Sequence, residues 1–400
     1  MTNNKDKKVL NVPNLRFPEF NGEWEKCKLS KVCSFFSGGT PPSSNKEYYN
    51  GNIPFIRSGE LHNDETELFI TKEGLDNSAA KMVEVGDLLL ALYGATSGNI
   101  AISKIKGAIN QAILCIRTKQ NKKFVESVWN KHVARLLQTY LQGGQGNLSA
   151  DIVKNIPFYF TNIEEQNKLA RFISLLDQRI AAQNKIIEKY ESLIQAICDT
   201  LIESGQPKVE LSFNDFGEPY SGLSGKSAED FGKGWPYITY MNVYQNQIID
   251  ITDVGLVKIN ETEQQSVVRY GDILFTLSSE TPDEVGMGAV YLGDIYPLYL
   301  NSFCFGVHIT DESKIYPPFL AYYISTKSFR KAVFPLAQGS TRFNLQKSDF
   351  MKKKFLFPTV EEQNKIYSVL KAYSDKLSIE KNIANLLCEQ KSYLLRQLFI

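Results

Sequence analysis

Alternating steps of four and three from Leu169 land on Leu169, Ile173, Leu176, Ile180, Gln183, Ile187, Tyr190, Ile194, Ile197 and Leu201. Nine of these ten are apolar, which is the seam of a coiled coil. The pattern returns 197 residues later, on Ile366, Leu370, Tyr373, Leu377, Glu380, Ala384, Leu387, Lys391, Leu394 and Leu398. Both stretches open on the same five residues, Glu164-Glu165-Gln166-Asn167-Lys168 and Glu361-Glu362-Gln363-Asn364-Lys365. Asn162 and Thr359 stand three residues before Glu165 and Glu362, the spacing of a capping box. Gly205 and Pro207 close the first stretch. Glu380 falls opposite Gln183, a shared polar position of the kind that sets register. An amphipathic stripe also serves a helix lying on a globular core. At 1.5 Å per residue, however, Leu169–Leu201 is about 50 Å long, more than a single small domain covers. We therefore expect two long helices that pair with each other. Lys391 interrupts the second seam, so its last turns are expected to face another subunit.

The rest of the chain is also written twice. Ser37-Gly38-Gly39-Thr40-Pro41-Pro42 precedes a strand-like Ile53-Pro54-Phe55-Ile56, and Ser221-Gly222-Leu223-Ser224-Gly225-Lys226-Ser227 precedes Trp235-Pro236-Tyr237-Ile238. Gly86-Asp87 and Gly271-Asp272 each introduce an apolar run, Leu88–Leu90 and Ile273–Phe275. Polar loops follow, Tyr93–Asn99 and Ser278–Thr281, then the runs Ile109–Leu114 and Leu300–Phe305. Helical spacing covers Phe124–Tyr140 and, in the second copy, Phe319–Phe329. Gly-rich loops at 142–148 and 338–345 lead to the strands Ile156–Phe158 and Phe355–Phe357, then to the long helix. The expected fold is α+β: a tandem duplication of a mixed α/β lobe, each followed by a long helix. The expected boundaries are 1–160 and 205–357 for the lobes, and 161–204 and 358–400 for the helices.

Composition narrows the function. No stretch of about 18 apolar residues is present, so no membrane span is expected. The lysine-rich start lacks an apolar segment of the kind a signal peptide needs. Six scattered cysteines without a CxxC pair suit a reducing cytoplasmic location, and three isolated histidines give no metal site. Residues 1–163 carry 20 basic and 15 acidic side chains, and residues 208–360 carry 14 and 17. That balance is not the basic footprint of a self-sufficient DNA binder. Gly225-Lys226-Ser227 ends like a phosphate-binding loop, but Tyr220 stands where that pattern needs glycine, and no buried strand or apolar helix flanks it. Asp64, Glu65 and Glu67 read as a solvated acidic turn. No catalytic set emerges. The Gly/Ser/Thr/Asn/Gln loops can contact bases and phosphates, and they can equally be ordinary connections.

Taken together, the duplicated lobe, the Gly38-Gly39-Thr40-Pro41 loop with Ile53-Pro54, the Gly222–Ser227 loop with Asp230-Phe231-Gly232, and the paired Glu-Glu-Gln-Asn-Lys openings carry a resemblance. From Arg16 to Ile400 the chain resembles the specificity subunits of type I restriction–modification enzymes. The resemblance implies that each lobe is a target-recognition domain reading one half of a split double-stranded DNA site. The helices pair antiparallel and set the spacer. Two methyltransferase subunits dock, restriction subunits join, and S-adenosylmethionine, ATP and Mg belong to those partners. The chain itself carries no catalytic residue, cofactor or metal. Base-reading residues vary with specificity, so candidates come from the loops: Lys46, Tyr49, Arg57, Tyr93, Thr96, Ser97 and Asn99, then Lys226, Tyr240, Asn242, Ser278, Thr281 and Arg342. Gln145, Asn147, Ser340, Thr341 and Asn344 are candidates for backbone contact. Two competing classes are an enzyme using the Lys226 loop on a nucleotide, and a scaffold or anti-restriction protein that pairs through its helices without reading DNA.

Overall fold

The computed structural model describes residues 10–141, 147–203 and 207–400. The chain divides into two compact units, residues 1–184 with 382–400, and residues 185–381. The division cuts both long helices, Ile163–Glu203 and Val360–Leu398. Each unit therefore holds one lobe and one piece of each helix.

In the first unit the central sheet has the strand order Cys33–Ser37, Ile113–Thr118, Leu88–Ala91, Ile100–Ile102, all antiparallel. In the second unit the order is Gly217–Ser221, Cys304–Ile309, Ile273–Thr276, Gly288–Val290, again all antiparallel. A second sheet lies beside each. It is built on Tyr49–Ile56 in one lobe and Phe231–Ile238 in the other, and each of these pairs parallel with a short strand, Gly107–Ile109 or Tyr299–Leu300. The apolar runs 88–91 and 273–276 are wholly buried because both faces of the central strand are covered.

The repeated Gly-Asp turn has a local cause. Gly86 and Gly271 both take φ +87°, a left-handed conformation that glycine enters without penalty. The aspartate after each accepts the N–H of the residue three before it, Glu84 at 3.0 Å and Arg269 at 2.8 Å. Gly38 and Gly222 answer a different need. A Cβ on Gly38 would lie 1.7 Å from the Ile109 carbonyl oxygen, and one on Gly222 would lie 2.0 Å from that of Asn301. Gly222 is therefore required by backbone packing, and the glycine needs no phosphate to explain it.

Three expected elements differ. The runs 109–114 and 300–305 are each broken by an Asn turn: Asn110 Oδ1 accepts from Ala112 N–H and Asn301 Oδ1 from Phe303 N–H. The helix expected over Phe319–Phe329 is two short helices, Pro317–Tyr323 and Lys327–Val333. Thr326 separates them by capping the second through Phe329 N–H.

The helices begin where the capping signal predicts. Glu165 N–H donates to Asn162 Oδ1 at 2.9 Å, and Glu362 N–H to Thr359 Oγ1 at 3.4 Å. The Glu165 carboxylate is drawn elsewhere, onto Arg16 at 2.7 and 2.8 Å and onto the Thr161 hydroxyl. Of the two closing residues, Gly205 lies outside the described residues.

Within the first unit, Leu169 and Ile173 share a core with Leu395, Leu398 and Phe399. Within the second, Ile194, Cys198 and Ile202 share one with Ile366 and Leu370. An early part of one helix meets a late part of the other in each case, so the pairing is antiparallel. All the seam positions named above are buried or half-buried, including Leu176, Ile180, Ile187, Leu377, Leu387 and Leu394. Lys391 is corrected: its ammonium is paired with Asp177 on the first helix, which Lys123 also holds. No helix among the described residues is long and apolar enough to cross a membrane.

Candidate nucleic-acid interface

At one end of each central strand, three chain segments are tied together by the same two hydrogen bonds. In the first lobe Leu92 N–H donates to Ala112 C=O at 2.8 Å, and Leu148 N–H to Leu92 C=O at 2.9 Å. In the second lobe Leu277 N–H donates to Phe303 C=O at 2.9 Å, and Leu345 N–H to Leu277 C=O at 2.8 Å. The loop after the central strand, the Asn turn and the segment after the Gly-rich loop thus lie side by side in both lobes. The turn leaving the long strand of the second sheet joins them in the second lobe, through Asn301 N–H to Ile238 C=O and Tyr240 OH to Ser278 C=O.

In the second lobe this end forms an open groove of ≈ 750 Å³. Tyr240, Ser278, Thr341 and Arg342 all line it, so four of the sequence candidates converge. Ser278–Ser279 pairs with Phe343–Leu345, which holds the Arg342 loop against the groove. The Arg342 guanidinium sits 5.6 Å from the ring centre of Phe303, an exposed aromatic. Tyr240 and Tyr244 stack at 6.0 Å. Tyr244 OH donates to Glu284 at 2.7 Å and Ser279 OH to the same carboxylate at 3.1 Å. The Tyr244 hydroxyl in particular draws the Glu284 pKa below its usual value, so the carboxylate stays charged. Arg330 fixes the loop beneath by donating to the carbonyls of Asp283, Val285 and Gly286.

Other candidates lie nearby or are spent elsewhere. Thr281, Ser340 and Asn344 are exposed on the same loops. Lys226 is withdrawn: its side chain is 4% exposed, paired with Glu263 and donating to Lys258 C=O at 2.6 Å. Asn242 is withdrawn as well. It is fully buried, and its amide donates to the Asp250 and Asp253 carbonyls at 2.8 and 2.6 Å. Glu60, which sits at the matching turn of the first lobe, closes that loop as an acceptor instead of a donor. It accepts from the Glu67 N–H and the Thr66 hydroxyl.

In the first lobe Lys46 and Asn99 are exposed, Tyr93, Thr96 and Ser97 half-buried, and Ser97 OH donates to Leu92 C=O at 2.9 Å. Tyr49 spends its hydroxyl on Pro41 C=O. Arg57 is exposed but held by both Glu60 and Glu67. Asn147 is exposed, and Gln145 lies outside the described residues.

Sequence reasoning passed over Met241, Tyr244, Ser279, Glu280 and Glu284, which also line the groove. A signal was available. Tyr244 is four residues from Tyr240, one helical turn on, and Glu280 lies inside the Ser278–Thr281 loop already singled out.

The two lobes thus share one architecture, a duplicated sheet with its loops gathered at one end. The type I restriction modification DNA specificity domain family matches this chain over residues 21–192 and again over 221–389. The protein belongs to that family. It is 22% identical to the type I restriction enzyme MjaVIII specificity subunit of Methanocaldococcus jannaschii, over 94% of this chain and 91% of that protein. It is 27% identical to the MjaIX specificity subunit of the same organism over 42% of this chain and 41% of that protein. The crystal structure of a type I restriction–modification S subunit from M. genitalium shares its fold, with TM-score 0.55 and 18% identity, over 97% of this chain and 99% of that one. A structure from a study of complex assembly in the type I system gives TM-score 0.59 at 16% identity, over 94% and 97%. The relatives are specificity subunits, the recognition components of such systems.

Proposed function

We propose that this chain reads a two-part double-stranded DNA site for a type I restriction–modification complex. Lobes 1–160 and 205–357 each take one half of the site at the loop-bearing end. Helices 161–204 and 358–400 set the spacer and offer docking faces to two methyltransferase subunits, which restriction subunits join. Methylation, hydrolysis and cleavage, with S-adenosylmethionine, ATP and Mg, belong to those partners. The observation that carries this reading is the repetition of one loop cluster, tied by the same two backbone hydrogen bonds, in both lobes. Loops vary without disturbing the sheets beneath, which is what a reader of changing sequences needs. The near-neutral charge fits a subunit that borrows phosphate affinity from its partners.

The remaining base-reading candidates are Tyr240, Ser278, Thr281 and Arg342 in the second lobe, and Lys46, Tyr93, Thr96, Ser97 and Asn99 in the first. Thr341, Ser340, Asn344 and Asn147 suit backbone contact. The test is selection of bound sequences from a randomised duplex library by the subunit assembled with its methyltransferase partner. The expected result is two conserved blocks separated by a constant gap. One contiguous block, or none, contradicts the reading.

A further inference from the structure

The groove of the second lobe holds opposite charges that do not pair. Glu280 and Arg342 both line it. Both are exposed, yet neither has an ion-pair partner among the described residues. Elsewhere in this lobe charges within reach do pair, as Lys226 with Glu263 and Lys354 with Glu210. Glu284 adds a second carboxylate, fixed from behind by Tyr244 and Ser279. Two carboxylates repel a phosphate, so the side of the groove that carries them is a poor seat for the DNA backbone. A carboxylate accepts from the amino group of cytosine, and a guanidinium donates in a fork to O6 and N7 of guanine. One G·C pair presents both of these edges side by side in the major groove. Phe303 supports the guanidinium from one face. Tyr244, stacked on Tyr240, holds Glu284 through its hydroxyl and leaves the exposed Glu280 on the same rim without an ion pair among the described residues.

We propose that Glu280 and Arg342 read one G·C pair in the half-site taken by the second lobe, with Arg342 on guanine and Glu280 on cytosine. This rests on the reading that the lobe binds DNA, and it adds the residues and the base pair.

The experiment repeats the library selection with the complete complex carrying Glu280→Gln, Arg342→Ala or Arg342→Lys. The wild-type complex serves as reference, and its thermal melting is compared with that of each variant. Both substituted positions are at the surface, and melting within about a degree or two of wild type is expected. In the wild type, one position of one block should be a near-invariant G·C pair. Each variant should lower discrimination at that position by roughly 10- to 100-fold, with the other block unchanged. Arg342→Lys is decisive. It keeps the charge and loses the planar fork, so a phosphate contact would survive it unchanged while discrimination for guanine would fall. Unchanged blocks in Glu280→Gln and Arg342→Lys would overturn the assignment while leaving the two-part reading intact. Relaxation at an A·T pair would overturn it too. Absence of any two-part site in the wild type would remove the underlying reading and the assignment together.

Discussion

At the scale of single residues, the repeated Glu-Glu-Gln opening is explained by its glutamine. Gln166 and Gln363 are fully buried. Gln166 donates to Gln120 and to Thr161 C=O, and accepts from Asn121 N–H. Gln363 donates to Pro358 C=O and Lys314 C=O, and accepts from Tyr316 N–H. Each pins its helix start to the segment that leads into the lobe's own helix. Gln363→Ala leaves buried backbone groups unpaired and should cost about 1–3 kcal/mol, read as a lower denaturant midpoint. An unchanged midpoint would show the network to be replaceable. Glu60 supplies a pH-dependent counterpart. Burial alone would raise its pKa, but the Arg57 guanidinium, the N–H groups of Arg57 and Glu67, and the Thr66 hydroxyl outweigh it and hold the group at about 2. A depressed carboxylate stabilises the fold fully above its unfolded value of 4.5 and loses that stabilisation as pH falls toward about 2. Melting of the wild type should therefore drop across that window, and Glu60→Gln should flatten this part of the profile. A profile identical to wild type would contradict the assignment.

At the scale of elements, the heptad seam was legible because it is periodic, and the short strands because they are apolar runs bounded by Gly-Asp or Asn. What the pattern did not contain was drift. A helix advances 3.6 residues per turn, so a seam counted in sevens slips over forty residues. That slip is why Cys198 and Ile202 are more deeply buried than Ile197 and Leu201 at the end of the first helix. Asp177 was equally hidden. Its match with Lys391 lies across a distance in sequence that no local reading reaches. The break at Thr326 does not show in the apolar spacing of Phe319–Phe329, which continues across it; the Thr326 hydroxyl caps the second helix. The candidate site was legible as loops and only partly as residues. Burial took Lys226 and Asn242 from the list, while Glu280 and Glu284 are identified only by their place on the groove. Ile173 is 1% exposed and touches the core of the first lobe. Ile173→Ala should cost about 2–5 kcal/mol. Leu386 is 63% exposed, and its truncation should stay within about 0.5 kcal/mol in the free subunit. Equal effects in denaturant titrations of the two variants would contradict the placement of the seam.

At the scale of the whole molecule, the duplication is the organising fact. Each unit takes its own lobe and a piece of both helices, so the last residues of the chain complete the core of the first lobe. Leu395, Leu398 and Phe399 pack there against Trp24 and Phe124. On the proposed reading, two matched lobes on one chain serve a two-part site, and the near-neutral charge leaves phosphate affinity to the assembly. The central claim is the two-part reading, and the most direct measurement is methylome sequencing. A host carrying this chain with its methyltransferase subunit is compared with the same host lacking the chain. The account predicts a new methylated motif in two parts with a constant spacer. The spacer should change when one heptad, about 10 Å of helix, is inserted at facing positions of both long helices. Assembly of the complex without new methylation, or a motif indifferent to helix length, would contradict it.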